Sequence, residues 1–251
     1  MFPLYDENKS KTTPIVTWTL IVVNSLVFLW EFTQGFDPKI FYDYGEIPSL
    51  VLQGKQLFSV VTSMFLHADL WHILGNMIYL FVFGDNVEDR FGHAKFFVLY
   101  FIVGIVGGLT HSIVAVMSGG RNALIPTVGA SGAVSGVLGA YLVFFPRANV
   151  VSIIPSFVFL RLARIPAMIF IGVWFLLQLL FSGSMSGVAY MAHIGGFVIG
   201  ALLAIVFKLK PPTRALKLPL RVPTVRFCGH CGGLLPDEAV YCPTCGRKRF
   251  N

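Results

Sequence analysis

Six apolar segments, separated by short polar or glycine-containing stretches, dominate the first 207 residues of the chain. They cover residues 14–32, 70–83, 96–117, 131–145, 166–181 and 188–207. A helix needs about 20 apolar residues to cross a bilayer, so the second and fourth segments are short for full spans. Short, glycine-interrupted spans are tolerated where they line a buried or watery cavity. The pattern predicts an all-α polytopic membrane protein with a six-helix bundle.

The composition agrees with a membrane protein. Of the 251 residues, 55% are hydrophobic and 12% are charged, whereas soluble domains have roughly 25% charged residues. The first apolar segment is longer than the core of a signal peptide, and no small-residue cleavage site follows it. We therefore expect it to be retained as a spanning helix.

Basic residues are concentrated in alternate connections. Lys9 and Lys11 precede the first segment, Arg90 and Lys95 follow the second, and Arg147, Arg161 and Arg164 follow the fourth. Nine more basic residues follow the sixth. The positive-inside rule therefore predicts cytoplasmic N- and C-termini, and we expect the plasma membrane as the location. Attraction to an anionic inner leaflet explains the net charge of +7 better than nucleic-acid binding does.

Three short motifs place reactive side chains inside apolar segments, where polar groups are costly and usually functional. They are the Gly-Ala-Ser-Gly sequence around Ser131, the Ala-His-Ile-Gly-Gly sequence around His193, and a His-Ile-Leu-Gly-Asn sequence from His72 to Asn76. A serine, a histidine and a His/Asn pair can supply a nucleophile, a base and oxyanion donors. The alternative for His72 and Asn76 is that they mainly hold a loop.

The three motifs are predicted to meet at one depth in the bilayer. At about 1.5 Å per helical residue, they lie about 24, 22 and 20 Å from the polar residues that end their segments. Small residues also form stripes on two segments: Gly132, Gly136, Gly139 and Ala140 on the fourth, and Ala192, Gly196 and Gly200 on the sixth. Such stripes let helices pack closely in lipid, which would bring His193 to Ser131. We expect structural roles for His111, Asn24 and Gln178.

Together these sequences resemble the rhomboid intramembrane serine proteases. The resemblance runs through residues 59–69, 72–76, 87–92, 129–132 and 192–200, and it covers roughly residues 14–207. It implies a six-helix rhomboid-like bundle with Ser131 as nucleophile and His193 as general base. His72, Asn76 and the Ser131 amide would hold the oxyanion. No aspartate completes a triad, so His193 is expected to be positioned by packing.

The implied reaction is cleavage of single-pass transmembrane substrates near the outer face, through an acyl-enzyme. Two positions depart from the family pattern. Phe58-Ser59 stands where many rhomboids have Trp-Arg, and Ser135 stands where some bacterial members have an aromatic residue. These departures affect loop anchoring and histidine orientation but remove no reacting group. Glu88 and Arg90 are expected to pair with each other at the cytoplasmic face.

Two other classes of function are alternatives to a protease. One is an inactive rhomboid-like protein that binds or escorts transmembrane helices, although both Ser131 and His193 are present here. The other is a transporter or channel. That class is disfavoured because the intramembrane charges and inverted repeats expected of one are not evident.

The composition changes abruptly after residue 207. Two CxxCG sequences separated by ten residues contain Cys228, Cys231, Cys242 and Cys245. This spacing predicts a structural zinc ribbon, and disulfides are disfavoured in a reducing cytoplasm. The predicted domains are an N-terminal tail (1–13), the membrane domain (14–207), a basic, proline-containing linker (208–224) and the ribbon (225–251). The sequence does not indicate the ribbon's partner.

Overall fold

The computed structural model describes residues 2–155, 160–184, 187–209, 226–235 and 239–248. The chain divides into two compact units, Met1–Lys210 and Pro211–Asn251. The first unit is mostly helical, as the hydrophobic pattern predicted. In chain order its helices are α1 (Ile15–Thr33), α2 (Pro38–Tyr44), α3 (Pro48–Leu52), α4 (Ser59–Thr62), α5 (Leu70–Phe91), α6 (His93–Ser118), α7 (Ser131–Phe144), α8 (Ala167–Phe181) and α9 (Tyr190–Leu209). Single 3-10 turns occupy Ser63–Phe65 and Arg121–Leu124.

Helices α1 and α5 to α9 coincide with the six apolar segments. Among the described residues, α1, α6 and α9 are each long and apolar enough to cross a membrane. The short helical stretch Ser59–Phe65 and α5 pass the same test as a pair, bent by 93°. Helices α7 and α8 are shorter, with 14 and 15 residues, so neither reaches the length of a full span by itself.

A three-stranded antiparallel sheet lies in the same unit. It consists of β1 (Phe2–Asp6), β2 (Asn149–Pro155) and β3 (Leu160–Pro166), in the order β1-β2-β3. Asp6 pairs with Val150 and Asn149 with Pro166. Nothing in the helical pattern predicted this sheet. Its first strand comes from the segment predicted to be a tail, which pairs with residues more than 140 positions away.

The predicted pairing of Glu88 with Arg90 is wrong. Residues two apart on a helix do not face each other, and the two side chains have different partners. The fully buried Glu88 carboxylate accepts hydrogen bonds from the Val16 and Thr17 amides, at 2.9 and 2.8 Å. It therefore caps the first turn of α1, whose amide groups have no partner within the helix. The Arg90 guanidinium lies 5.2 Å from the centre of the Phe144 ring.

Asp6 at the end of β1 joins the sheet to the helices. Its carboxylate accepts hydrogen bonds from the Tyr141 hydroxyl and from Asn86 Nδ2, the latter at 3.0 Å. Tyr141 is fully buried, and its ring lies edge-on to Phe83 with 4.9 Å between centroids. The strand is thus attached to the aromatic core through one acidic side chain.

This attachment predicts a pH-dependent contribution to stability. Burial raises the pKa of Asp6 to about 6 from 3.8, although the Tyr141 hydrogen bond lowers it. Below the pKa that Asp6 has in the unfolded chain, the acid is protonated in both states and its contribution to folding stability is fully present. As the pH rises through the pKa in the folded protein, the buried group becomes charged and this contribution is lost. We expect Asp6→Asn to raise the thermal unfolding midpoint more at about pH 8 than at about pH 5. Scanning fluorimetry of both proteins in one detergent checks this, and an equal shift at both pH values would contradict it.

Candidate active site

Ser131 is the first residue of α7. The residue before it, Ala130, caps the helix without a side-chain hydrogen bond. The amides of the first turn of a helix lack intrahelical partners and carry a partial positive charge. The nucleophile predicted from the sequence thus stands beside backbone donors suited to an anion.

The imidazole of His72 packs against the backbone just before Ser131. Gly129 has a φ of 120°, a conformation that L side chains rarely adopt, and its amide donates to Ser63 O at 2.8 Å. A Cβ at Gly129 would lie 2.5 Å from His72 Nε2. Glycine is therefore required at position 129 for both conformation and space, and it brings the His72 ring to the start of α7.

Hydrogen bonds at the start of α5 orient His72 and Asn76. Asp69 caps the helix by accepting from the His72 amide at 2.9 Å. The Ala68 amide donates to His72 Nδ1 at 3.4 Å, so the neutral ring carries its proton on Nε2, the atom that faces Gly129. Buried Asn76 donates from Nδ2 to the His72 carbonyl at 2.9 Å. Its amide group has a second hydrogen for another acceptor.

The small-residue stripes pack α7 directly against α9, as predicted. A Cβ on Gly196 would overlap the Gly132 carbonyl, and one on Gly200 would overlap the Gly136 carbonyl. A Cβ on Gly132 would lie 3.5 Å from the carbonyl oxygen of Ala192. The helix starts that carry Ser131 and His193 are therefore adjacent.

The expectation that packing alone positions His193 is wrong, because its ring also contacts Gln178. His193 Nδ1 is 2.8 Å from Gln178 Oε1 on α8. The ring also lies beside Trp174 and Tyr190, with centroids 6.0 and 6.2 Å away. Gln178 stood out in the sequence as a polar residue in the otherwise apolar α8 segment, but the sequence did not indicate its partner.

Among the described residues, no hydrogen bond joins Ser131 Oγ to His193. Contacts between a nucleophile and its base are often longer before substrate binds. A cavity of about 20 Å³ adjoins the serine, and its lining includes Ser131, Gly129, Ala192, Ser63, Thr127 and Glu46. A cavity of this size with some polar lining groups accommodates about one water molecule.

Glu46, in the connection between α1 and α5, binds that connection to residues before α7 and on α6. The sequence did not suggest this role. The Glu46 backbone exchanges hydrogen bonds of 3.0 and 2.8 Å with Thr127, and its buried carboxylate accepts from Ser112 Oγ at 2.7 Å. Burial raises the pKa of Glu46 to about 7. Phe58 and Ser59 belong to the same connection between α1 and α5. Phe58 is exposed and Ser59 is buried.

The second unit brings its four cysteines together. Their Sγ atoms all lie within 4.8 Å of one another, with 3.9 Å between Cys228 and Cys245 and 3.6 Å between Cys231 and Cys242. These distances are too long for disulfides, which need about 2.05 Å. Four thiolates about 2.3 Å from a tetrahedral Zn²⁺ would lie about 3.8 Å apart. The donor set therefore fits zinc.

Comparisons with known proteins agree on one family. The Rhomboid domain profile matches residues 54–210. RHOMBOID-like protein 1 of Arabidopsis thaliana is 32% identical over 65% of this chain and 38% of its own length. Rhomboid protein 1, mitochondrial, of Saccharomyces cerevisiae is 29% identical over 74% and 51%. Rhomboid protease AarA of Providencia stuartii is 28% identical over 78% and 73%. The chain thus spans about 40 to 50% of the first two relatives.

The contact between α7 and α9 predicts a loss of stability from one added methyl group. Gly200→Ala would force its Cβ into the backbone of Gly136, and overpacking of this kind costs about 1–3 kcal/mol. We expect a lower unfolding midpoint in detergent and lower activity, although position 200 is two turns from His193. Gly172→Ala is the matched control, because its Cβ meets no atom within 4 Å. Equal midpoints for the two variants would contradict the predicted contact.

Proposed function

The chain belongs to the rhomboid family, and on that premise we propose that it is an intramembrane serine endopeptidase. The observation that carries the proposal is the convergence at the start of α7. The His72 ring packs against Gly129, two residues before Ser131. The helix that carries His193 packs against Gly132. These contacts support a site in which the proposed nucleophile, base and oxyanion donor come from three helices.

In the proposed reaction, Ser131 Oγ attacks the scissile carbonyl while His193 Nε2 takes the hydroxyl proton. The tetrahedral intermediate collapses when that proton passes to the leaving amine, which leaves an acyl-enzyme. Water then adds to the ester, with His193 as base again, and releases the new carboxyl end. The small cavity beside Ser131, with room for about one water molecule, supports access of water to a site that lipid would otherwise keep dry.

The oxyanion is stabilised by three donors in this proposal. The Ser131 amide belongs to the unpaired first turn of α7. His72 Nε2 carries a proton because Nδ1 accepts from the Ala68 amide. Asn76 contributes the amide hydrogen that does not bind the His72 carbonyl. Donors fixed in advance stabilise the developing charge without reorganisation, which is the main source of their catalytic effect.

The proposed substrates are single-pass transmembrane proteins in the same bilayer. A substrate helix must unwind locally before its carbonyl is accessible, because a helical carbonyl is already hydrogen-bonded. Helix-weak, small residues near the membrane boundary favour that step. The basic residues of alternate connections support cytoplasmic termini and cleavage near the outer face. The proposed location is the plasma membrane.

Cleavage of a generic transmembrane substrate by purified protein tests this function. We expect Ser131→Ala and His193→Ala to abolish cleavage. Asn76→Ala should lower the rate by about 10²–10³, the usual effect of losing one oxyanion donor. Gly172→Ala serves as a folded control. The inactive rhomboid-like alternative, which binds or escorts helices, predicts equal product from wild type and Ser131→Ala, and that result would overturn the proposal.

For the second unit we propose a structural zinc ribbon. The amides of Gly232 and Gly246 turn back to the carbonyls of Cys228 and Cys242, both at 2.8 Å. Both glycines have positive φ, 73° and 71°, so each CxxC sequence closes in a tight turn. When bound, the metal would cross-link the two turns. All four donors are cysteines, and a closed set of this kind leaves no position for catalysis.

The zinc proposal predicts one Zn²⁺ per chain. Protein purified under reducing conditions should contain one equivalent by elemental analysis, and chelation or Cys228→Ser should expose the tail to proteolysis, because metal binding and folding are coupled in so small a unit. The fragment 1–210 should remain resistant. Metal-free protein with a protease-resistant tail would contradict the proposal.

A further inference from the structure

Gln178 is a buried amide at the contact between α8 and α9. Only 8% of its surface is exposed. Its Nε2 donates to the Trp174 carbonyl one turn earlier, at 3.0 Å, and its Oε1 is 2.8 Å from His193 Nδ1. Both ends of the amide are therefore occupied, and the side chain connects two helices.

The two hydrogen bonds determine which way the amide points. The Trp174 carbonyl can only accept, so the amide nitrogen must face it and the amide oxygen must face His193. An oxygen beside Nδ1 requires a proton on that ring nitrogen. In the neutral imidazole, Nε2 then has the free lone pair. This is the form that a general base for Ser131 needs.

We propose that Gln178 is the positioning residue of His193, filling the place that a carboxylate occupies in a Ser-His-Asp triad. The inference rests on the proposed protease function. Gln178 holds the imidazole as its Nδ1–H tautomer and keeps Nε2 available to the nucleophile. During attack the Ser131 proton moves to Nε2, the Nδ1 proton stays on the hydrogen bond to Gln178, and the Nε2 proton later leaves with the amine.

A neutral acceptor suits this position. A carboxylate on α8 would add a charge within an apolar helix, and intramembrane charges are costly. The amide oxygen still accepts a hydrogen bond from the imidazolium formed during the reaction, and bonds to charged groups are stronger than neutral ones. The Trp174 and Tyr190 rings beside His193 limit the remaining motion of the ring.

Steady-state cleavage of one transmembrane substrate by three variants tests the role. Gln178→Met removes the acceptor at similar size, and we expect kcat to fall about 10-fold with little change in KM, since one hydrogen bond contributes about 0.5–1.5 kcal/mol. Gln178→Glu keeps an acceptor for Nδ1 but adds a charge and loses the donor to the Trp174 carbonyl, so its kcat should lie between those of wild type and Gln178→Met. Asn24→Leu is the matched control, because Asn24 also donates to the carbonyl four residues earlier, at 2.7 Å, but on α1. It should cleave like wild type.

A spectroscopic readout separates positioning from a merely structural role. In ¹⁵N-histidine NMR, the His193 signal, assigned by its loss in His193→Ala, should show the Nδ1–H tautomer in wild type. It should show a mixture of tautomers in Gln178→Met.

Four outcomes are decisive. A wild-type kcat in Gln178→Met, an unchanged tautomer in that variant, or a Gln178→Glu variant as slow as Gln178→Met would each overturn the proposal. If wild type cleaves nothing but the tautomer changes as expected, the protease function fails while the positioning role stands.

Discussion

Direct backbone contact between α7 and α9 is the constraint on which the rest of the membrane unit depends. Two helices with ordinary side chains are about 8–10 Å apart, and the glycines at positions 132, 136, 196 and 200 remove the side chains that would keep them there. No hydrophobic effect drives helices together inside lipid, so van der Waals contact between backbones must supply the attraction. The position of His193 relative to Ser131 follows from this contact.

The polar groups of the bundle obey a second constraint, since lipid satisfies no hydrogen bonds. Glu88 caps the first turn of α1, Glu46 accepts from Ser112, and Gln178 joins Trp174 to His193. Glu88 and Glu46 each connect elements that are distant in sequence, whereas Gln178 connects consecutive helices. These three buried polar groups therefore hold helices together, and Ser131 lies beside a cavity with room for about one water molecule.

Local signals in the sequence predicted the helices and much of the candidate site. Ser131, His193, His72 and Asn76 stood out because each is polar within an apolar stretch, and the glycine stripes predicted which helices pack. The sequence did not show which distant residues a buried polar side chain would contact. Gln178 acts on a residue 15 positions away, Glu46 on one 66 positions away, and Asp6 on Tyr141 135 positions away. Only the folded backbone creates those neighbours, so composition and periodicity could not indicate them.

The central claim is that Ser131 is a nucleophile activated by His193. Peptide mass spectrometry after treatment with a fluorophosphonate tests it most directly, because the reagent bonds only to an activated serine and needs no knowledge of the substrate. We expect stoichiometric modification of Ser131 in wild type and none in a His193→Ala protein of equal thermal stability. Modification of another residue, or labelling of Ser131 that persists unchanged in His193→Ala, would contradict it.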